Sequence, residues 1–235
     1  MEFIGIFFLV VSGVMFFSRR SQQQKLFSLK RARAMTAAEL AATAGAVAEE
    51  IGGGSWRDYI KLWGTVEVEH PLLSEHRQQP CVHFVSTVQR EYETQDDDGK
   101  TKKVTKQISH NRQSINFWLV DDTGRVLVNP EGAAIETVQV MDELRPEPAD
   151  PTSGDRYKES ILPVGQNVLV VGAVSDLTGK VIIGKPTQAD HHYVISLKDE
   201  EMLATATTQS ARNMGIGLFV CLGIGLVLLI WGILS

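Results

Sequence analysis

Six histidines and two cysteines are the side chains of this chain best suited to metal or nucleophile chemistry, so their spacing comes first. His191 and His192 are adjacent; on a strand they point to opposite faces and do not close on one ion. His76 and His83 would need a third ligand from elsewhere in the fold, and neither H-E-x-x-H nor a Cys/His zinc spacing accompanies them. His70 and His110 stand apart, and all six read as surface or strand histidines. Cys81 begins a strand with His83 two residues on. A thiolate pair is the sharp reading of that spacing; a small buried apolar residue is the plainer and preferred one. No G-x-S-x-G elbow marks a hydrolase serine. Gly179 to Pro186, "GKVIIGKP", matches G-x-x-x-x-G-K. A phosphate loop must offer backbone N–H groups, whereas Val-Ile-Ile reads as strand core and Pro186 replaces the Ser or Thr that would hold magnesium. A hairpin returning from Thr178-Gly179 fits better. No catalytic, cofactor-binding or metal residue is therefore assigned, and no cofactor is expected.

The elements that would carry any function are framed by two apolar runs. At 235 residues and 43% hydrophobic, the chain has room for one soluble domain plus membrane segments. A net charge of −5 argues against nucleic acid as a partner. Cys221 lies in the last apolar run, so it cannot join Cys81 in a disulfide framework or a redox CxxC. Phe3 to Ser18 carries no charge, with Glu2 before it and Arg19 and Arg20 after it. A cleavable signal peptide has the reverse flanks, so residues 1–18 read as an uncleaved transmembrane helix. Residues 214–235 read as a second. Arg19, Arg20, Lys25, Lys30, Arg31, Arg33 and Arg212 all lie between the two runs. The positive-inside rule thus predicts a two-pass protein with its central domain in the cytoplasm. Arg19, Arg20, Lys25, Lys30, Arg31 and Arg33 are also candidates for lipid-headgroup contact, at about 1 kcal/mol each; topogenic charge explains them equally well. Gly217, Cys221 and Gly225 recur every four residues and form a candidate helix-packing stripe, against the first helix or between copies, although glycine is common in membrane helices generally.

Residues 19–55 form a basic juxtamembrane segment, an alanine-rich helix and a glycine-rich linker. Thr36 and Glu39 fit a capping box, which predicts a helix from Met35 or Thr36 to about Ile51, stopped by "GGGS". From Trp56 the periodicity falls to two. "LWGTVEVEH" reads as a strand, and "CVHFVSTVQREYE" as another with Val82, Phe84, Val88 and Tyr92 on one face. "TQDDDGKTKK" reads as a charged hairpin tip around Asp98-Gly99. Two strands flank a turn at Asp122 to Gly124, and "IETVQV" adds one more. "ELRPEPADPTSGDR" reads as a proline-rich loop without regular structure. A lead-in from Tyr157, a turn at Pro163 to Gln166, two buried strands and "HHYVISL" close a β domain over 56–203, with 204–213 as a helical connector. The expected fold class is mainly β, an OB-like small barrel or a sandwich, flanked by two transmembrane helices.

"LWGTVEVEHPLLSE", "PCVHFVSTVQREYE", "ILPVGQNVLVVGAVSD" and "IIGKPTQADHHYVISLKDEEML", set between two membrane helices, carry a resemblance. The chain resembles the GIDE, or beside-a-membrane, domain of the mitochondrial and plastid RING-type ubiquitin ligases, which has relatives in bacteria. The most telling stretch is Leu162 to Leu203, with its Val-Gly turn, the V-G-x-V-x-D strand end, Lys185-Pro186, and Tyr193, Ser196 and Asp199. In that family a zinc-binding RING follows the second membrane helix. Here that position is empty, so the expectation is a RING-less, bacterial or cyanobacterial relative. The resemblance also implies the opposite side of the membrane from the charge count.

The expected function is a membrane-anchored, non-catalytic protein that binds a protein partner, or assembles or regulates a membrane complex. The enzyme-class alternative is the membrane and substrate-recognition part of a RING-type ubiquitin ligase system whose RING comes from another chain. A third class, an OB-like binder of nucleic acid or lipid, lacks exposed aromatics among basic residues on its strands. Expected partners are the bilayer, an unidentified protein and a second copy of the chain.

Overall fold

Thr36 begins a helix as its sequence predicts. In the computed structural model, α1 (Ala37–Ile51) has Thr36 as N-cap. Its hydroxyl accepts from the Glu39 N–H at 3.3 Å, and the Glu39 carboxylate accepts from the Thr36 N–H at 2.8 Å. Gly52, at φ 85°, ends the helix. Two further N–H groups of the first turn are met from outside: Ala37 donates to Asp121 at 2.8 Å and Ala38 to Thr123 at 3.0 Å. Leu40 and Ala44 then point into the main core.

The structure describes residues 30–52, 54, 56–95, 98–148, 150–176, 180–198 and 205. Both expected membrane spans, and with them Arg19, Arg20, Lys25, Gly217, Cys221 and Gly225, lie outside the described residues. Among the described residues no helix is long and apolar enough to cross a membrane.

Thirteen strands are described: β1 (Arg33–Ala34), β2 (Arg57–Glu67), β3 (Leu72–Leu73), β4 (Pro80–Gln95), β5 (Thr101–Ser114), β6 (Phe117–Asp121), β7 (Gly124–Val128), β8 (Ala134–Ile135), β9 (Val138–Glu147), β10 (Asp150–Pro163), β11 (Asn167–Ser175), β12 (Ile182–Gly184) and β13 (Val194–Ser196). Five of them close a ring. β2 pairs with β6, β6 with β7, β7 with β12, β12 with β11, and β11 returns to β2. Only the β7–β12 contact in that ring is parallel. The sequence expected a barrel or a sandwich, and the pairing is barrel-like. Its interior is filled by Ile60, Leu62, Val66, Phe117, Leu119, Val126, Val128, Val168, Val170 and Ile183. β2 and β6 cross so closely at Gly64 that a Cβ there would lie 2.6 Å from the Val120 carbonyl oxygen. "GKVIIGKP" behaves as its apolar residues demand: Ile182–Gly184 is barrel strand β12, with Ile183 fully buried.

The second sheet comes from two insertions into the barrel's chain order. β3, β4 and β5 lie between β2 and β6, while β9 and β10 lie between β7 and β11. The order across this sheet is β5, β4, β10, β9, every contact antiparallel. Its root is apolar: Cys81, Phe84 and Ile161 form a small cluster with Leu72 and Val140, and Val82 and Leu162 reach the main core. Farther along, β4 has no buried residue beyond Ser86, and β5 has none at all.

Four sequence expectations need correction. The proline-rich "ELRPEPADPTSGDR" is a hairpin, with β9 running to Glu147 and β10 starting at Asp150. Pro146 is tolerated because β9 is an edge strand, where a missing N–H breaks no ladder bond on the outer side. The alternation read for "CVHFVSTVQREYE" fails at its start, where Cys81 to Phe84 are all buried because both faces are covered at the root. Lys102 and Lys103, placed at a hairpin tip, belong to β5. "HHYVISL" shortens to Val194–Ser196 as a strand, with the two histidines before it.

Candidate functional site

Of the residues singled out by charge, Lys30, Arg31 and Arg33 are described, and all three are exposed. Arg31 is engaged by Asp190 at 2.8 Å, and Arg33 sits on β1 opposite Ile60. Ala32 between them packs with Tyr59, Leu169, Val171 and Val194. Arg31 to Arg33 are therefore stitched to the barrel wall, with Ala32 against Val194 of β13.

The histidines are not brought together. His191 stacks on Tyr59 with ring centroids 4.0 Å apart, and the Tyr59 hydroxyl donates to the His192 carbonyl at 2.7 Å, which fixes this dipeptide against the barrel. His76 meets Tyr157 edge-on at 5.2 Å. Among the described residues no group of three His, Cys, Asp or Glu could hold a metal ion. Cys81 is fully buried, and burial followed by the Glu159 charge pushes its thiol up to about 11. The thiolate reading fails on that count, and also because the imidazole of His83 is turned to Ser114, with Nδ1 2.7 Å from the hydroxyl.

That His83–Ser114 contact was not legible in the sequence; the two residues are 31 apart and meet through β4–β5 register. It borders a cleft of about 680 Å³ with Arg112, Asn116 and Glu131. A serine nucleophile needs a base poised near the working pH. Burial, reinforced by Arg112, pushes His83 down from 6.5 to about 4. At neutral pH the imidazole is neutral and a weak base, so the pair serves as a strand-to-strand clip.

In the telling stretch Asp199 lies outside the described residues, while Asp176, Tyr193 and Ser196 prove to be clips as well. Asp176 is buried and accepts from the N–H groups of Gly54 and Trp56 at 2.8 and 3.1 Å, tying the glycine-rich linker to the end of β11. Tyr193 donates to the Asn129 carbonyl at 2.5 Å, and burial pushes its phenol well above the ordinary value. Ser196 donates to Glu136 at 2.7 Å, and the same carboxylate accepts from the Leu197 N–H at 3.0 Å. The stem of Lys185 lies over Gly132 (φ 79°), where a Cβ would come within 2.8 Å of it. Asp176, Tyr193 and Ser196 are thus each engaged in holding the fold.

Glu159 organises the second sheet in the same way. The carboxylate is fully buried and accepts from Ser74 Oγ at 2.9 Å, His76 N at 2.7 Å and Arg77 N at 2.9 Å, which folds the β3–β4 loop over one face. Burial raises its pKa, but those donors outweigh burial and hold it below the usual carboxylate value.

What remains open is the polar part of the second sheet. β5 carries Lys102, Lys103, Lys106, His110 and Arg112 and no acidic residue. Its three lysines and Arg112 have no ion pair among the described residues. The opposite edge, β9, carries Asp142, Glu143 and Glu147 against Arg145. Between the two edges Arg90 grips Asp155, and Arg156 bridges Glu91 at 2.5 Å and Asp142 at 2.8 Å. Exposed apolar side chains on or beside this sheet are Leu73, Ile108, Val138 and Leu144. Such a surface has the charge and the open edges of one that could take a partner.

Residues 87–229, more than half of the chain, match the family model described as "GIDE: E3 Ubiquitin ligase". No curated protein and no solved structure matches the chain.

Proposed function

We infer the function from one premise: the chain belongs to the GIDE family. In our reading it is a membrane-anchored, non-catalytic member whose barrel is a rigid mount and whose second sheet binds protein. The observation that carries this is the contrast along the second sheet, apolar and clipped at its root, charged and open on β5 and β9. The ring order, with one parallel contact between the third and fifth barrel strands in chain order, supports an OB-like barrel. The uncharged runs 3–18 and 214–235 support a two-pass anchor, and the cationic residues between them favour a cytoplasmic domain.

The family's printed description favours a second reading, the membrane and substrate-recognition part of a ubiquitin ligase system. The 235 residues contain two cysteines, so the ligands of a RING would come from outside them. The same surface would then recruit the substrate.

Photo-crosslinking separates these readings from a barrel-based function. The full chain, in its native membrane, carries a photoreactive residue at Gln107 on β5 or at Arg125 on the barrel. Protein adducts at Gln107 and none at Arg125 are expected. Equal adducts at both, or adducts at Arg125 alone, would overturn the assignment to the second sheet. Ubiquitin transfer by the purified chain with activating and conjugating enzymes would overturn the non-catalytic role.

A further inference from the structure

We propose that the two edges of the second sheet pair with each other between copies, β5 of one chain against β9 of the next, so that the protein assembles head to tail. This rests on the reading of that sheet as the interaction surface and names the partner as a second copy.

Each edge strand leaves its outward backbone N–H and C=O groups unpaired among the described residues, since β5 pairs only with β4 and β9 only with β10; Pro146 removes one donor from the β9 edge and leaves its carbonyls. An edge of this length is a template for another strand unless something blocks it. On β5 the blocking device is lysine. Lys102, Lys103, Lys106 and Arg112 disfavour a second β5 and place like charges opposite one another, and Asp142, Glu143 and Glu147 do the same for a second β9. The pairing that removes both repulsions is β5 with β9.

Direction and spacing agree with the charges. Within the sheet β5 and β9 run antiparallel, so a copy added at the β5 edge in the same orientation presents its β9 antiparallel to it. Lys102 and Lys106 are four residues apart, as are Glu143 and Glu147. An antiparallel register that sets Lys106 opposite Glu143 of the next copy therefore also sets Lys102 opposite Glu147, both pairs on one face. Such an interface uses different surfaces on the two copies and does not close on itself, so it continues into a row. Anchoring in a membrane would raise the local concentration of edges that pair weakly one at a time.

A charge swap tests this on the full chain in vesicles. One variant carries Lys102→Glu and Lys106→Glu; the other carries Glu143→Lys and Glu147→Lys. Each alone is expected to lose at least ten-fold in crosslinked oligomer yield relative to the unaltered chain, because each sets like charges opposite one another at both paired positions. Mixed in equal amounts they should recover it. A thermal melt of each variant confirms the fold, and Lys102→Arg with Lys106→Arg should assemble as the unaltered chain does. Unaltered yield in either single variant, or no recovery in a folded mixture, would overturn the proposal. So would protein adducts at Gln107 that never contain a second copy, an outcome that leaves the interaction reading of the sheet standing.

Discussion

β2 and β11 in the barrel, and β4 and β10 in the second sheet, are long antiparallel pairs of similar extent with opposite surroundings. Around β11, Val168, Val170, Val171 and Val174 are fully buried, and Asp176 at its end is spent on the linker. Along β4, burial stops at Ser86, and the partners across the sheet become Arg90 with Asp155 and Glu91 with Arg156. The barrel gets its stability from apolar area and a closed ring. The second sheet is buried only at its root and leaves its two edges unpaired among the described residues. Residues that look diagnostic in the sequence, Asp176, Lys185, Tyr193 and Ser196, belong to the first region; the surface we propose for binding lies in the second, where no compact motif marks it.

Substitutions should break this contrast in graded steps. The largest effect is expected in the barrel: Leu119→Ala leaves a cavity in a fully buried position and should cost about 2–5 kcal/mol in chemical denaturation, whereas Leu144→Ala on β9 should cost under about 0.5 kcal/mol. Equal losses would mean that the second sheet has a core of its own. Glu159→Ala comes next, at about 2–4 kcal/mol, because the Ser74 hydroxyl and the His76 and Arg77 N–H groups lose a charged acceptor. Since its folded pKa lies below the unfolded 4.5, Glu159 contributes its full stabilisation above that value. The contribution is lost as pH falls through the folded pKa. Unfolding free energies of wild type and Glu159→Ala should therefore converge in acid; a gap constant with pH would assign the loss to packing. Gly64→Ala should cost about 1–3 kcal/mol through the Val120 carbonyl, while Gly45→Ala, with open space around its Cβ position in α1, should stabilise by about 0.5–1 kcal/mol. Smallest of all, Lys102→Glu with Lys106→Glu should leave the melting temperature within a degree or two and change only association.

Much of the barrel was legible because its elements announce themselves locally. Thr36 and Glu39 mark the helix start, and Asp122 to Gly124 marks the β6–β7 hairpin, whose flanking residues are apolar. The ring closure was not legible, since the parallel β7–β12 contact joins Val128 to Ile183 with no local signal. The second sheet hid for two physical reasons. β5 is exposed on both faces, so it lacks the alternation that identifies a strand, and the β9–β10 hairpin carries prolines that an outer edge and a tip tolerate. Glu159 took its meaning only from donors more than eighty residues away.

Hydrogen exchange on the full chain, reconstituted at low and at high surface density, tests most directly whether the second sheet is the interaction surface. Amides of β5 and β9 that point outward should exchange fast when copies are sparse and slow by at least ten-fold when they are crowded, while β2 and β11 stay protected and unchanged throughout. Protection that rises with density in the barrel, or at neither edge of the second sheet, would contradict it.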